Sequence, residues 1–161
     1  TCSATPPPPP GNLLTNGDFE SGATIWSGTS GVITNSASKP AHGGSWKAWL
    51  GGNGRTSTEY VQQSVTIPAS ATTAVLTFWL RIDTAETGST VYDRLRPQII
   101  SGSTTTTLAT YSNVGANATW AQKTFDVTAY KGKTITVKFL ENEDSSLQTS
   151  FVVDDVVLSA G

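Results

Sequence analysis

The sequence predicts an all-β chain folded as an antiparallel β-sandwich, and three observations carry that reading. Apolar residues alternate with polar ones through several runs, the period of half-buried strands. Clusters of Gly, Pro, Asn and Ser separate the runs at sandwich-like intervals. No segment sustains a helical period. Roughly eight to ten strands in two sheets are expected.

In chain order, the five consecutive prolines within residues 1–11 predict an extended polyproline spacer, joining this domain to an upstream unit. Residues 12–161 then form one domain. "NLLTNGDFESG" reads as a first strand in which Asp18 and Glu20 share one face and Phe19 takes the other. "WKAWL" follows, with Trp46 and Trp49 on opposite faces. "TEYVQQSVTI" sets Val61, Gln63, Val65 and Ile67 against Tyr60, Gln62, Ser64 and Thr66. "TAVLTFWLRI" sets Leu76, Phe78, Leu80 and Ile82 against Val75, Thr77, Trp79 and Arg81. "DRLRPQII" carries a proline, which predicts an edge strand. "TLATYS" and "WAQKTFDV" come next. "KTITVKFL" turns Ile135, Val137 and Phe139 inward, and the mixed apolar run of "SFVVDDVVL" predicts a central strand. Alternation there requires one of Asp154 and Asp155 to point inward, where a bare carboxylate is expensive.

Composition narrows the class. The chain has 161 residues, a formal charge of −2 and only 14% charged residues, with Thr, Ser and Gly in their place. A Thr/Ser-coated β surface fits a secreted protein, and the scattered basic residues argue against nucleic acid. No apolar stretch spans a membrane. The single cysteine, Cys2, cannot form an internal disulfide. It is read either as a lipidated residue or as a partner for an upstream domain. A monomer is expected. The one histidine, His42, lacks a Gly-x-Ser-x-Gly elbow or a second His to work with, so no Ser–His–Asp or zinc constellation is present. The acids read better as calcium ligands than as a glycosidase carboxylate pair, and the chain is expected not to be an enzyme.

Longer motifs support a resemblance. "NLLTNGDFESG" with Trp26, and the closing "FVVDDVVL", resemble the carbohydrate-binding modules with a galactose-binding-like jelly roll. "VTIPASATTAVLTFWLRIDTAET", "YDRL", "LATYSN", "FDVTAYKGKTITVKF" and "ENEDSSLQTSFVVDDV" resemble the MAM-like C-terminal accessory domains of secreted bacterial peptidases. The resemblance implies a jelly-roll accessory module without catalysis, often with bound calcium. It also implies calcium ligands here: Glu20, carbonyls of Asp18 and of the Ser45–Lys47 stretch, and Asp154 or Asp155. The alternative for Asp18 and Glu20 is capping of nearby turns and backbone N–H groups. After "YD" that family carries small or β-branched residues. This chain carries Arg94, Leu95, Arg96, Pro97 and Gln98 instead.

A second acidic set, Asp83, Glu86 and Asp93 with Glu141, Glu143 and Asp144, is read either as a second calcium site or as a solvated negative rim. For ligand binding, Trp79, Arg81, Arg94, Arg96, Gln98, Tyr60, Gln62 and Lys138 all fall opposite the apolar faces of their strands. They form one surface if those strands are neighbours. Two functions are expected: a calcium-stabilised module targeting an attached hydrolase to polysaccharide, or a peptidase domain that binds protein substrate or stabilises its catalytic partner.

Overall fold

The computed structural model describes residues 12–161, so the proline linker and Cys2 lie outside the described residues. The strands are β1 (Ser27–Gly28), β2 (Ile33–Thr34), β3 (Lys47–Gly51), β4 (Ser57–Thr66), β5 (Ala74–Thr84), β6 (Arg94–Ser101), β7 (Thr104–Thr107), β8 (Tyr111–Ser112), β9 (Ala121–Asp126), β10 (Thr134–Glu143) and β11 (Thr149–Ala160). A single 3-10 turn, Thr128–Tyr130, links β9 to β10. The first sheet runs β1-β4-β10-β6-β7, with β8 also paired to β6, and the second runs β2-β3-β11-β5-β9. Every pairing is antiparallel. The fold is an all-β sandwich of jelly-roll type.

Alternation determines the core. Val61 and Val65 of β4, Leu76, Phe78 and Leu80 of β5, and Ile135, Val137 and Phe139 of β10 are all buried, as their period requires. Each such side chain contributes about 1.5–3 kcal/mol by leaving water. Phe78 of the second sheet meets Phe139 of the first edge-on, with ring centroids 5.0 Å apart. Trp26 reaches Phe139 and Phe19 at 6.4 and 5.2 Å, closing one side of the sandwich. β11 lies at the centre of its sheet, as its apolar run predicts.

Two strand expectations are corrected. The opening stretch is a run of turns rather than a strand, because Asn16 and Phe19 take left-handed backbone angles (φ 56° and 62°). Asn16 makes this stable: its Oδ1 accepts the Ser21 N–H, and its Nδ2 donates to the Gly22 and Thr24 carbonyls. Asn tolerates this region better than other non-glycine residues. Phe19 is buried all the same. Gly17 lies so close to β11 that an added Cβ would stand 2.1 Å from the Val156 carbonyl oxygen.

The second correction concerns β6, which is interior: β10 lies on one side and β7 with β8 on the other. Pro97 is tolerated because β7 pairs from Gln98 onward and β8 pairs only Arg94 and Leu95. Within a strand, a residue's N and C=O point to the same side. The Pro97 carbonyl accepts the Leu108 N–H, so its donor-less nitrogen faces the gap between β7 and β8.

The outer faces of the two sheets differ. On the second sheet the 35–46 segment lies across the strands. His42 stacks on Trp79 of β5 at 4.1 Å, and Lys39 pairs with Asp83 at 3.2 Å and stands over the Trp49 ring. Val152 on that outer face is completely buried. On the first sheet, the outward side chains of β4, β10 and β6 remain partly or fully exposed.

Candidate functional site

The register of the first sheet places its outward residues in rows, three of which carry the expected ligand residues. Lys138 on β10 lies between Gln62 on β4 and Gln98 on β6; Leu140 lies between Tyr60 and Arg96; Asn142 lies between Thr58 and Arg94. The Lys138 ammonium stands 4.6 Å from the Tyr60 ring centroid. Arg96 donates to the Asn142 side-chain oxygen at 3.3 Å, Asn142 donates to the Thr58 hydroxyl at 3.0 Å, and Gln98 donates to the Thr107 hydroxyl at 3.2 Å. The face thus offers an apolar strip, Tyr60 beside Leu140, ringed by hydrogen-bond donors and acceptors. That combination suits a ligand with a C–H face and peripheral hydroxyls.

Six of the eight expected ligand residues share this face: Tyr60, Gln62, Arg94, Arg96, Gln98 and Lys138. Trp79 and Arg81 do not. They stand on β5 in the other sheet, with Trp79 under His42 and Arg81 bonded to Asp83 at 3.1 Å. Leu140 and Asn142 belong to the face although sequence reasoning left them out. Extending the alternation of Lys138 by two and four positions would have found them.

The residues expected at the first metal site gather around the 42–47 segment. Asp18 turns back on itself, its Oδ1 accepting the Glu20 N–H at 3.1 Å. The Glu20 carboxylate accepts the Ser45 N–H at 3.0 Å and the Trp46 N–H at 2.8 Å. Gly44 lies against it, and an added Cβ would meet the Glu20 carboxyl at 2.4 Å. Asp154 is completely buried and accepts three backbone N–H groups, from His42 (2.9 Å), Gly43 (3.1 Å) and Asp155 (2.7 Å). Asp154 faces not the core but the underside of the 35–46 segment, because it alternates with the inward Phe151 and Val153; the register shift between Asp154 and Val157 then returns Val156 and Leu158 to the core. Asp155, at φ 49°, bonds the His42 Nδ1 at 2.6 Å. Burial raises the Asp154 pKa to about 6 against the opposing pull of its N–H donors. Lys47 is fully buried with its ammonium on the Ser36 carbonyl. Burial lowers its pKa, while the charges of Asp154 and Glu20 raise it. Glu20 thus caps the Ser45 and Trp46 N–H groups, and the buried Lys47 ammonium is close enough to feel the charges of Asp154 and Glu20.

The second acidic set sits at one end of the sandwich. Carboxylate oxygens of Glu86, Asp93 and Asp144 lie within 4.8 Å of one another and could hold a metal ion. Asp93 is completely buried; it accepts the Asp144 N–H at 2.9 Å and the Thr149 hydroxyl at 2.6 Å. One Glu86 oxygen is shielded from solvent and has no partner. Burial, then the negative charges of Asp93 and Asp144, raise the Glu86 pKa. Asp83 stands apart from this group, held by Lys39 and Arg81. Glu143, also buried, accepts the Asn53 N–H (3.0 Å) and the Thr149 N–H (3.2 Å). Glu141 is completely buried and neither of its oxygens has a partner.

No protein-family model matches the sequence, and no curated protein does either. Solved structures do match. The chain is similar to TmCBM61, solved in complex with beta-1,4-galactotriose, at 16% identity and a TM-score of 0.68, over 93% of this chain and 99% of that one. It is similar to a family 16 carbohydrate-binding module at 21% identity and a TM-score of 0.55, over 91% of this chain and 99% of the other. It is also similar to the C-terminal family 22 carbohydrate-binding module of Clostridium thermocellum Xyn10B, at 16% identity and a TM-score of 0.60, over 96% of each chain. These likenesses establish the β-sandwich fold that carbohydrate-binding modules use. Among the described residues no helix is long and apolar enough to cross a membrane.

Proposed function

We propose that this chain is a non-catalytic module that binds polysaccharide on the open face of its first sheet. The observation that carries the reading is the contrast between the two outer faces. The 35–46 segment covers part of one sheet, while the other presents Tyr60, Gln62, Arg96, Gln98 and Lys138 side by side. The fold shared with modules such as the one solved with beta-1,4-galactotriose supports it. Export, a monomeric state and attachment to a hydrolase that the module carries to its substrate complete the reading. The expected proline spacer supports the attachment, and the Thr/Ser-rich composition supports the export.

The test is affinity electrophoresis in gels containing soluble plant polysaccharides. Tyr60→Ala is expected to weaken binding at least about tenfold, equivalent to about 1.4 kcal/mol. Trp79→Ala is expected to leave affinity unchanged, since Trp79 belongs to the other sheet. Loss in Trp79→Ala with none in Tyr60→Ala would move the site to the second sheet. Capture of insoluble collagen with no polysaccharide retarded would favour the peptidase-domain reading.

Calcium is the metal proposed for Glu86, Asp93 and Asp144, because three carboxylates plus neighbouring carbonyls and water match its oxygen preference. Calcium at a hundredfold excess over its dissociation constant stabilises the folded state by about 2.7 kcal/mol. The melting temperature is therefore expected to rise with calcium and fall with EDTA, and Glu86→Gln is expected to abolish the shift. A shift that survives Glu86→Gln but disappears in Glu20→Gln would place the ion beside Ser45 and Asp154 instead.

A further inference from the structure

We infer that the open face takes an acidic polysaccharide, one whose sugar units carry carboxylates, in preference to a neutral one. The inference rests on the glycan-binding reading above. Arg94 and Arg96 are alternate residues of β6, so they project from the same face about 7 Å apart. Lys138 pairs with Gln98, which puts it diagonal to Arg96, about 7–8 Å away. Three cations thus occupy one patch. None of them forms an ion pair among the described residues, where Lys39, His42 and Arg81 are the paired bases.

Nothing on the face neutralises them. Outward positions on β4, β10 and β6 hold Thr, Tyr, Gln, Ser, Lys, Leu, Asn, Arg and Ile, and no Asp or Glu. The chain as a whole carries −2, so this patch runs against the net charge. Acids of the same sheet, Glu59, Glu141 and Glu143, belong to the inward-facing series of their strands. Like charges about 7–8 Å apart on one face repel one another, more strongly at low salt. A bound polyanion removes that repulsion; a neutral glycan does not.

The chemistry of the groups agrees. A guanidinium presents a planar fork that matches a carboxylate with two parallel hydrogen bonds. Arg96 spends one such donor on Asn142, and Arg94 makes no side-chain hydrogen bond to another described residue. Gln62 and Gln98 on either side of Lys138 remain suited to hydroxyls, and Tyr60 with Leu140 to the sugar's C–H face. A uronate polymer uses all three kinds of group at once.

The experiment compares polygalacturonate with its fully methyl-esterified form, which keeps the sugar backbone and removes the charge. Binding is measured at low and at high salt, with the intact chain. Polygalacturonate is expected to bind at least tenfold more tightly than the ester at low salt, with that advantage lost at high salt. The Arg94→Gln, Arg96→Gln, Lys138→Gln triple variant is expected to bind both polymers alike. Arg96→Gln alone, with a melting curve matching wild type, is expected to show a partial loss. Equal affinity for acid and ester overturns the inference while leaving the open-face glycan reading intact. Dextran sulfate or single-stranded DNA binding as tightly as polygalacturonate also overturns it, by reducing the effect to attraction for any polyanion. Failure to bind polygalacturonate, its ester and neutral galactan alike overturns both readings.

Discussion

Replacing Asp154 by alanine is expected to cost about 3–5 kcal/mol and to release the 35–46 segment from the second sheet. The carboxylate is completely buried and accepts the N–H groups of His42, Gly43 and Asp155. Alanine leaves all three donors without their partner, in a place that water reaches only by opening the segment. It also removes one of the two negative charges that favour the buried Lys47 ammonium. Asparagine retains one oxygen acceptor, so Asp154→Asn is expected to cost distinctly less than Asp154→Ala. Urea unfolding measures the difference. Amide exchange localises it: the His42, Gly43 and Asp155 amides lose protection in the alanine variant, while amides in the β4–β10 ladder change only with global stability. A cost below about 1 kcal/mol, equal in both variants, would show that Asp154 does not hold this segment.

How much of this was legible in the sequence depends on the range of the interaction. Alternation is local, so the inward and outward assignments on β4, β5 and β10 follow from residue order alone. Even Gln63, a polar residue in an inward position, is where its parity puts it: buried and bonded to the Thr15 backbone. Which strands are neighbours is not local. Trp79 and Arg81 have the right parity for an outward face, but β5 pairs with β11 and β9 rather than with β4 or β10. One expected surface therefore divides into two. The same limit applies to Asp154, whose parity excludes the core without revealing that a distant segment covers it. The Asp18-Phe19-Glu20 pattern mimicked a strand because the competing local chemistry sits upstream, in the Asn16 side chain. Pro97 indicated an edge. What the sequence could not show is that a gap between two short strands serves the same purpose.

Substituting Glu141 by glutamine is expected to stabilise the EDTA-treated protein above neutral pH, and by more as pH rises. Glu141 points between the sheets, directly opposite Glu59 on β4 and Leu95 on β6. Glu143 lies two residues along the same strand and Asp93 precedes β6, so every ionisable group facing Glu141 is an acid. Burial first, then the charges of Glu143, Glu59 and Asp93, push its pKa from 4.5 up to about 9. The folded state thus holds a proton that the unfolded state releases. Stability from this group is fully present below about pH 4.5 and is lost as pH rises toward 9, at up to about 1.4 kcal/mol per pH unit. Glu86 and Asp154, also raised, act in the same direction. Glutamine has the shape of the protonated acid and does not titrate. Wild type and Glu141→Gln are therefore expected to match near pH 4.5, with the variant ahead by roughly 3 kcal/mol or more at pH 8. Urea unfolding across that range checks it, and parallel slopes for the two proteins would contradict the assignment. Calcium adds a second test. A cation on Glu86, Asp93 and Asp144 offsets the negative charge around Glu141, so calcium is expected to flatten the wild-type slope and narrow the gap to the variant.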